Sequence, residues 1–278
     1  MLLNCAGKPL DVSRPAVMGV LNLTPDSFSG DGLADDVEAA CERALALVAA
    51  GAAVIDIGGE STRPGAARVS VDDELARVLP VIERLAPRLT VPISIDTRHA
   101  AVMRAAVGAG AGLINDIAAL REPGALDAAA ALGVPIIVMH MQGEPGTMQH
   151  APQYDDVVGE VAGFLGQRVA ACVAAGIPRE RILIDPGFGF GKTAAHNLAL
   201  LRALPVLCRQ GLPVVAGLSR KSLIGAVTGA PVTQRLGGSI ALAFLAAQGG
   251  ARLLRVHDVA ETVQALAMLD AVQGESNG

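Results

Sequence analysis

Eight short apolar segments recur along the chain, and a longer stretch with helical periodicity follows each one. The segments are too short and too continuously apolar for amphipathic helices, and such runs are typical of parallel strands covered on both faces. Their ranges are 16–21, 54–57, 92–95, 112–114, 135–139, 181–184, 213–217 and 252–256. This rhythm constrains the fold more than any other feature.

The intervening segments have the spacing of helices with one apolar face. In 35–50, Val37, Ala40, Ala44 and Val48 share a face, and Gly51 supplies a stop. The other helical ranges are 72–86 (with Pro80 as a kink candidate), 99–107, 125–132, 153–175, 197–209, 234–248 and 259–271. Eight such units predict one (β/α)8 TIM barrel over residues 1–273, followed by a disordered tail at 274–278. An open doubly wound sheet is the alternative, because the sequence does not show closure.

Composition excludes several classes of function. The 278 residues carry a net charge of −5, with one Tyr and no Trp, which disfavours a nucleic-acid surface or an anionic membrane as partner. The four cysteines lie far apart in the sequence, as expected of free thiols in a reducing compartment. We see no signal peptide and no apolar run long enough to cross a bilayer, so a cytoplasmic protein is expected.

Polar residues end nearly every apolar segment. They are Asn22, the run from Glu60 to Arg63, Asp96, Asn115, His140, Asp185, the run from Ser219 to Lys221, Arg255 and His257. In a barrel all of them reach the C-terminal rim, where the loops carry the chemistry.

One group of these residues suits a flat heterocycle that donates and accepts hydrogen bonds. It comprises Asp96, Asn115, Asp185 and Lys221. Helix capping is a competing role for Asp96, whereas Pro186 and Gly187 make capping less natural for Asp185.

A second group suits an anion. Arg63, Arg220, Arg255 and His257 would form a local positive patch, and arginine forks match phosphate oxygens. Solvated surface positions are the alternative for the arginines, and a structural cap is the alternative for His257.

The stretch DPGFGFGKT, residues 185–193, imitates a phosphate-binding loop. It gives GxxxGK, one residue short of the GxxxxGK[ST] pattern, and it does not match GxGxxG. We therefore interpret the glycines as allowing the backbone close to a ligand held by Asp185, with Phe190 as an apolar wall. Lys192 is interpreted as a surface or loop residue.

The stretch LNLTPDSFSGDG, residues 21–32, is long and polar for a loop after a strand, which predicts a mobile lid. Asn22, at the strand end, is a candidate ligand of Mg²⁺, with a turn-forming role as the alternative.

These pieces together resemble the bacterial dihydropteroate synthases, pterin-binding barrel enzymes of the folate pathway that sulfonamides target. The matching motifs are VLNLTPDSFS, IDIGGESTRPG, ISIDT, IND, DPGFGFGKT, GLSRKS and RVHD, spread between residues 17 and 259. The resemblance implies condensation of 6-hydroxymethyl-7,8-dihydropterin pyrophosphate with p-aminobenzoate, with Mg²⁺ as cofactor, sulfonamides as competitive inhibitors, and a homodimer.

The resemblance also implies a role for each matching residue. The pterin would be held by Asp96, Asn115, Met139, Asp185 and Lys221. The pyrophosphate would be held by Asn22, Arg63, Arg255 and His257, with Asn22 also on the metal. The p-aminobenzoate side would comprise Thr62, Arg63, Pro64, Phe190, Arg220, Lys221 and Ser222. The residues expected to be catalytic are Asp185, Lys221, Arg255 and His257.

The residue types suit an S_N1-like displacement, in which C–O cleavage precedes attack by the amine. The serines and threonines of these motifs have no adjacent His in the sequence, so no nucleophile–base pair is expected. Asp185→Asn and Arg255→Ala are each expected to abolish most turnover and leave the fold intact. Two other activities stay open: a methyltetrahydrofolate methyltransferase-like barrel, and a catalytically silent pterin-binding paralogue.

Overall fold

A computed structural model describes residues 1–24, 36–61 and 68–274. The described strands are β1 (Leu2–Cys5), β2 (Lys8–Asp11), β3 (Ala16–Asn22), β4 (Val54–Gly58), β5 (Ile93–Asp96), β6 (Leu113–Asp116), β7 (Ile136–Met139), β8 (Ile182–Asp185), β9 (Val215–Ala216) and β10 (Leu253–Val256). Strands β3 to β10 form one eight-stranded sheet in the order β8-β7-β6-β5-β4-β3-β10-β9, and all neighbours are parallel.

The sheet closes between its first and last strands. Ile184 in β8 forms a parallel bridge with Val214, and the Ile184 amide donates to the Pro213 carbonyl at 3.1 Å. This contact excludes the open doubly wound sheet and confirms the predicted (β/α)8 barrel.

Helices surround the barrel. They are α1 (Val37–Ala49), α2 (Val71–Leu85), α3 (Ala100–Gly108), α4 (Ala125–Leu132), α5 (Val157–Ala174), α6 (Ala194–Arg202), α7 (Leu204–Cys208), α8 (Ser222–Thr228), α9 (Leu236–Gln248) and α10 (Val259–Gln273). Pro80 lies inside α2, which runs through it. The predicted helix at 197–209 is wrong as one element, because it divides into α6 and α7 at Ala203.

Two elements are additional to the predicted units. The short helix α8 follows β9, and the hairpin β1–β2 precedes the barrel. Ala6 and Gly7, both with positive φ, form the hairpin turn, a conformation typical of two-residue hairpin loops.

The hairpin closes the N-terminal end of the barrel. Its buried Leu3, Cys5, Leu10 and Val12 join one apolar cluster with the inward residues of the strands. The approach is close: a Cβ on Gly112 would lie 2.4 Å from the Cys5 carbonyl oxygen. This end is therefore filled by protein.

Helix α5 contradicts the expectation that no segment is long and apolar enough to cross a membrane. By length and composition its 18 residues pass that test. Its buried face contributes Val157, Val161, Leu165 and Val169 to the main core cluster around the barrel. The test alone is therefore weak evidence for a membrane span.

Candidate active site at the mouth of the barrel

Alternation along the strands sets an apolar layer and a polar layer inside the barrel. Val54, Leu113 and Leu183 belong to the apolar cluster at the N-terminal end. Because side chains two residues apart point to the same face of a strand, Asp56, Asn115 and Asp185 face the interior one layer nearer the mouth. On each of these strands, an apolar side chain of the core is therefore followed two residues later by a polar side chain near the mouth.

A network of charges occupies one side of this polar layer. Arg255 Nε donates to Asp56 Oδ2 at 2.6 Å, and Arg255 Nη2 donates to Asp96 Oδ2 at 2.8 Å. Asn115 Nδ2 donates to the same Asp56 oxygen at 3.2 Å. Burial raises the pKa of Asp96, and the neighbouring Arg255 opposes that shift. The structure therefore brings together three of the residues singled out from the sequence.

Asp56 is the member of this network that the sequence analysis missed. It is fully buried in the middle of the apolar strand β4. That position was itself a signal, because a carboxylate buried in a strand needs a charged or hydrogen-bonding partner. Asp96 does not cap a helix: the N-cap of α3 is His99.

On the other side of the mouth, the charges of Asp185 and Lys221 attract each other. Burial raises the pKa of Asp185, while the charge of Lys221 and the Gly187 amide, which donates to Asp185 Oδ1 at 2.7 Å, oppose the rise. Burial lowers the pKa of Lys221 to about 8, and Asp185 opposes that shift. Burial disfavours the charged form of each group, and the opposite charge of the other group partly offsets that cost.

An apolar wall completes this side. Met139 packs in a small cluster with Ile117, Met141 and Met148, against which Phe190 lies. Lys221 Nζ lies 4.6 Å from the centre of the Phe190 ring, a distance typical of a cation–π contact.

A cavity of about 480 Å³ opens between these groups. Its walls include Asn22, Asp96, Phe190, Arg220, Lys221, Ser222, Arg255 and His257. Arg220 is held by a forked contact with Asp258, which is also the N-cap residue of α10. All of these except Asp258 were candidates from the sequence.

The expectation that no serine or threonine has a histidine beside it is wrong, because the fold brings Ser219 next to His257. Ser219 Oγ lies 3.1 Å from His257 Nδ1, and it accepts from the His257 backbone amide at 3.3 Å. A hydroxyl has one donor and two acceptor positions, so this contact is compatible with either tautomer of the ring. The contact holds the His257 ring in place at the cavity.

Lys192 is buried, so its interpretation as a surface or loop residue is wrong. It is 3% exposed, and its Nζ lies 2.9 Å from His140 Nδ1. The glycines before it have positive φ and lie against protein: a Cβ on Gly187 would meet the His140 carbonyl oxygen, and one on Gly191 would meet the Gln142 carbonyl oxygen. The glycines of this loop therefore approach the protein's own backbone. Thr193 stands where a phosphate-binding loop has its Ser or Thr, and here it caps α6.

Some candidates lie outside the described residues. These are Thr62, Arg63 and Pro64, most of the predicted lid at 21–32, and residues 275–278 of the predicted tail. Gly274 is described, as the left-handed residue that ends α10. In the part of the chain that the structure describes, no group of three His, Cys, Asp or Glu side chains is placed to hold a metal ion.

Comparison with known proteins agrees with this geometry. The model of the family described as pterin binding enzyme matches residues 18–257. A dihydropteroate synthase of Escherichia coli K12 is 51% identical over 271 residues, which is 98% of this chain and 96% of the relative.

Solved structures are similar over the full length. The Xanthomonas albilineans dihydropteroate synthase with 4-aminobenzoic acid is 57% identical, with a TM-score of 0.92 and 98% of each chain covered. The Yersinia pestis enzyme in a sulfonamide complex is 51% identical, with a TM-score of 0.96, covering 99% of this chain and 100% of that one.

The chain therefore belongs to the family of pterin binding enzymes. The resemblance to the bacterial dihydropteroate synthases, which are transferases of folate biosynthesis, is confirmed at about half the residues identical over nearly the whole chain.

Proposed function

We propose that the cavity at the barrel mouth condenses 6-hydroxymethyl-7,8-dihydropterin pyrophosphate with p-aminobenzoate, giving 7,8-dihydropteroate and pyrophosphate. One observation carries the proposal: an amide, a carboxylate, an ammonium and a guanidinium, from Asn22, Asp96, Lys221 and Arg255, line one cavity. Asn115 and Asp185 lie beside them in the same polar layer. Such a set can hydrogen-bond a flat heterocycle on one side and attract an anion on the other.

The pterin would bind to the polar floor. Asp96 and Asp185 supply carboxylates for ring N–H groups, while Asn115 and Lys221 supply donors for ring acceptors. Met139, in the apolar cluster beside them, would contact the ring face. Burial of these groups supports the proposal, because a ligand with matching donors and acceptors replaces the water they have lost.

The pyrophosphate would bind toward Asn22, Arg255 and His257, which all line the cavity. Arg63 is part of the same proposal from the resemblance. The Ser219–His257 contact supports it, because it holds the His257 ring at the cavity wall, where the anion would bind. Arg255 also bridges Asp56 and Asp96, so it would link the pterin side to the phosphate side.

Asn22 lines the cavity and offers an amide oxygen, which fits Mg²⁺ as a hard cation that prefers oxygen ligands. Mg²⁺ usually keeps several waters and binds substrate phosphates through few protein ligands. The lack of a three-residue metal cluster among the described residues is consistent with a site that the substrate completes. Bound there by Asn22, the ion would offset charge on the pyrophosphate oxygens.

The reaction would proceed by cleavage of the C–O bond, followed by attack of the amine on the pterin methylene. The electron pair of that bond leaves with pyrophosphate, toward which His257 and Arg255 direct donors. Asp185 would offset positive charge that develops on the pterin. The amine then forms the C–N bond and loses a proton to solvent, so a serine nucleophile is not required, and Ser219 serves to orient His257.

The p-aminobenzoate would enter beside Phe190, Arg220, Lys221 and Ser222, with Thr62, Arg63 and Pro64 assigned by resemblance alone. Sulfonamides would compete for this position. Phe190 and Lys221 support the assignment, because their cation–π contact forms one wall of the cavity.

The homodimer and the cytoplasmic location are also proposals. Support for a dimer comes from large exposed apolar side chains on the adjacent late helices: Leu236 and Leu245 on α9, and Met268 and Val272 on α10. Light scattering of the purified chain tests the dimer, and a monomer at micromolar concentration would contradict it.

An assay of pyrophosphate release from the two substrates tests the main proposal. Release that requires both substrates, with dihydropteroate as product, is the expected result. Pterin binding without release would instead indicate a silent paralogue, and methyl transfer from methyltetrahydrofolate would indicate the methyltransferase-like activity.

A further inference from the structure

Lys192 is a buried ammonium that the proposed mechanism does not use. Its Nζ lies 2.9 Å from the Gly187 carbonyl oxygen, 2.9 Å from the Phe190 carbonyl oxygen and 2.9 Å from His140 Nδ1. An ammonium has three donors and no acceptor, so these three contacts use all of them, and the His140 carbonyl oxygen lies further away at 3.4 Å. His140 Nδ1 must then accept, which places the proton of the neutral ring on Nε2.

These contacts belong to a larger pattern in the loop 187–191. All five of its carbonyl oxygens accept a hydrogen bond from a side chain. Lys192 donates to Gly187 and Phe190, Lys221 to Phe188, Gln149 to Gly189, and Tyr154 to Gly191. Because the glycines turn the backbone out of regular structure, side chains supply these partners, and the Gly187 carbonyl also accepts from the Phe190 amide. Lys192 supplies two of the five.

The loop in turn holds groups that face the cavity. The Phe188 carbonyl accepts from Lys221, and the Phe190 ring lies under the same ammonium. Gly189 also lies close to Lys221, since a Cβ there would approach the lysine Cδ to 3.0 Å. A shift of the loop would therefore move both the apolar wall and the Lys221 ammonium.

We propose that Lys192 is a positioning residue, which fixes the loop 187–191 and thereby places Phe190 and Lys221 on the p-aminobenzoate side of the cavity. The proposal rests on the proposed function for the identity of the ligand. The pterin contacts of Asp96 and Asn115 come from other strands and are held by Asp56 and Arg255, so they should be little affected.

The test compares Lys192→Met with Lys8→Met. Methionine is unbranched and fills similar space without any strong donor. Lys8 is a matched control, because its Nζ also donates to a backbone carbonyl, that of Ala86 at 2.8 Å, but from the hairpin at the opposite end of the barrel. Burial lowers the pKa of Lys192 to about 7, so the comparison is made at about pH 6, where the ammonium predominates.

Lys192→Met should raise the KM for p-aminobenzoate about tenfold, with a smaller loss of calorimetric affinity for the pterin pyrophosphate, whose other contacts come from Asp96 and Asn115. Lys8→Met should change neither. An unchanged KM for p-aminobenzoate in folded Lys192→Met would overturn the proposal. If that variant does not fold, Lys192→Gln, which keeps two amide donors, should give a smaller rise in the same KM, and no rise would again overturn it.

Hydrogen exchange separates this proposal from the function on which it rests. The Gly187, Gly189 and Phe190 amides are hydrogen-bonded and should exchange faster in Lys192→Met than in the parent or in Lys8→Met. Unchanged exchange would overturn the role of Lys192 whatever the turnover. If the parent chain forms no dihydropteroate but Lys192→Met still exchanges faster than the parent, the loop role is supported and the proposed function alone is contradicted.

Discussion

The two ends of the barrel are built from the same strands but differ in the side chains that fill them. Strand β8 carries Leu183 inward in the apolar cluster and Asp185 inward at the mouth, about 7 Å further along the strand. At the hairpin end the inward side chains pack into one apolar cluster. At the mouth, buried charges are paired with one another around a cavity. We infer that the first layer contributes stability alone, whereas the second layer contributes both stability and chemistry.

The largest expected effect comes from Arg255→Ala, because it acts on both properties of the mouth. Removal of the guanidinium leaves buried Asp56 and Asp96 without their cation, which should lower the free energy of unfolding by about 3–5 kcal/mol. Turnover should fall at least ~100-fold. The structure thus argues against the expectation that this variant leaves the fold intact.

Denaturant unfolding and pyrophosphate release check this prediction. Arg84→Ala is the control, because Arg84 pairs with Glu38 on the exposed surface and should contribute less than about 1 kcal/mol. Equal stability of the two variants would show that the charges at the mouth carry no structural cost.

Asp185→Asn should separate chemistry from stability. It keeps the shape of the side chain and removes the charge that would offset a developing pterin cation, so kcat should fall by about 10²–10³. The melting temperature should stay near that of the parent. Near-normal turnover, measured by pyrophosphate release, would remove Asp185 from the catalytic residues.

Leu183→Ala is the reciprocal change, two residues earlier on the same strand. It empties volume in the apolar cluster and should cost about 2–5 kcal/mol of unfolding free energy. At a temperature where the variant is folded, kcat/KM should remain within about twofold of the parent. A large loss of kcat/KM would break the division between the two layers.

Asp56→Asn tests a residue that touches Arg255 and Asn115 and is fully buried. Loss of its charge should let the Arg255 fork shift and raise the KM for the pterin pyrophosphate about tenfold. Asp116→Asn is the matched control, because Asp116 is also buried but accepts from the Ala118 and Leu120 amides. A KM change common to both variants would indicate general destabilisation.

The last prediction is a pH dependence. Lys221 is protonated below its pKa of about 8 and neutral above it, so the attraction for an anionic substrate is lost as pH rises through that value. The kcat/KM for the pterin pyrophosphate should fall up to about tenfold per pH unit on the alkaline side. A profile flat to about pH 10 would contradict the assigned charge.

The barrel could be predicted because its strands are buried on both faces. Each of the eight predicted segments overlaps a described strand, with ends that differ by one or two residues. The hairpin β1–β2 was missed although Leu2–Cys5 alternates exposed and buried positions, since four residues are too few for a clear period. Helix α8, with seven residues, was missed for the same reason.

At the mouth, the sequence indicated which residues meet but not how they pair. Polar types at strand ends were enough to find Asp96, Asn115, Asp185, Lys221 and Arg255. The burial of Lys192 was not predicted, because two of its partners are backbone carbonyls, which carry no signal in the sequence. Its third partner, the ring nitrogen of His140, is 52 positions away. The Ser219–His257 contact joins two strand ends 38 positions apart, so only the pairing of β9 with β10 reveals it.

The docked hairpin makes Cys5 a natural reporter of the closed end. Burial raises the pKa of its thiol to about 12, so the folded protein holds almost none of the reactive thiolate. A thiol reagent can modify Cys5 only when the hairpin lifts away from Gly112 and the strands above it. The rate at which a thiol reagent labels Cys5 would therefore report how often the hairpin β1–β2 opens, without any engineered cysteine.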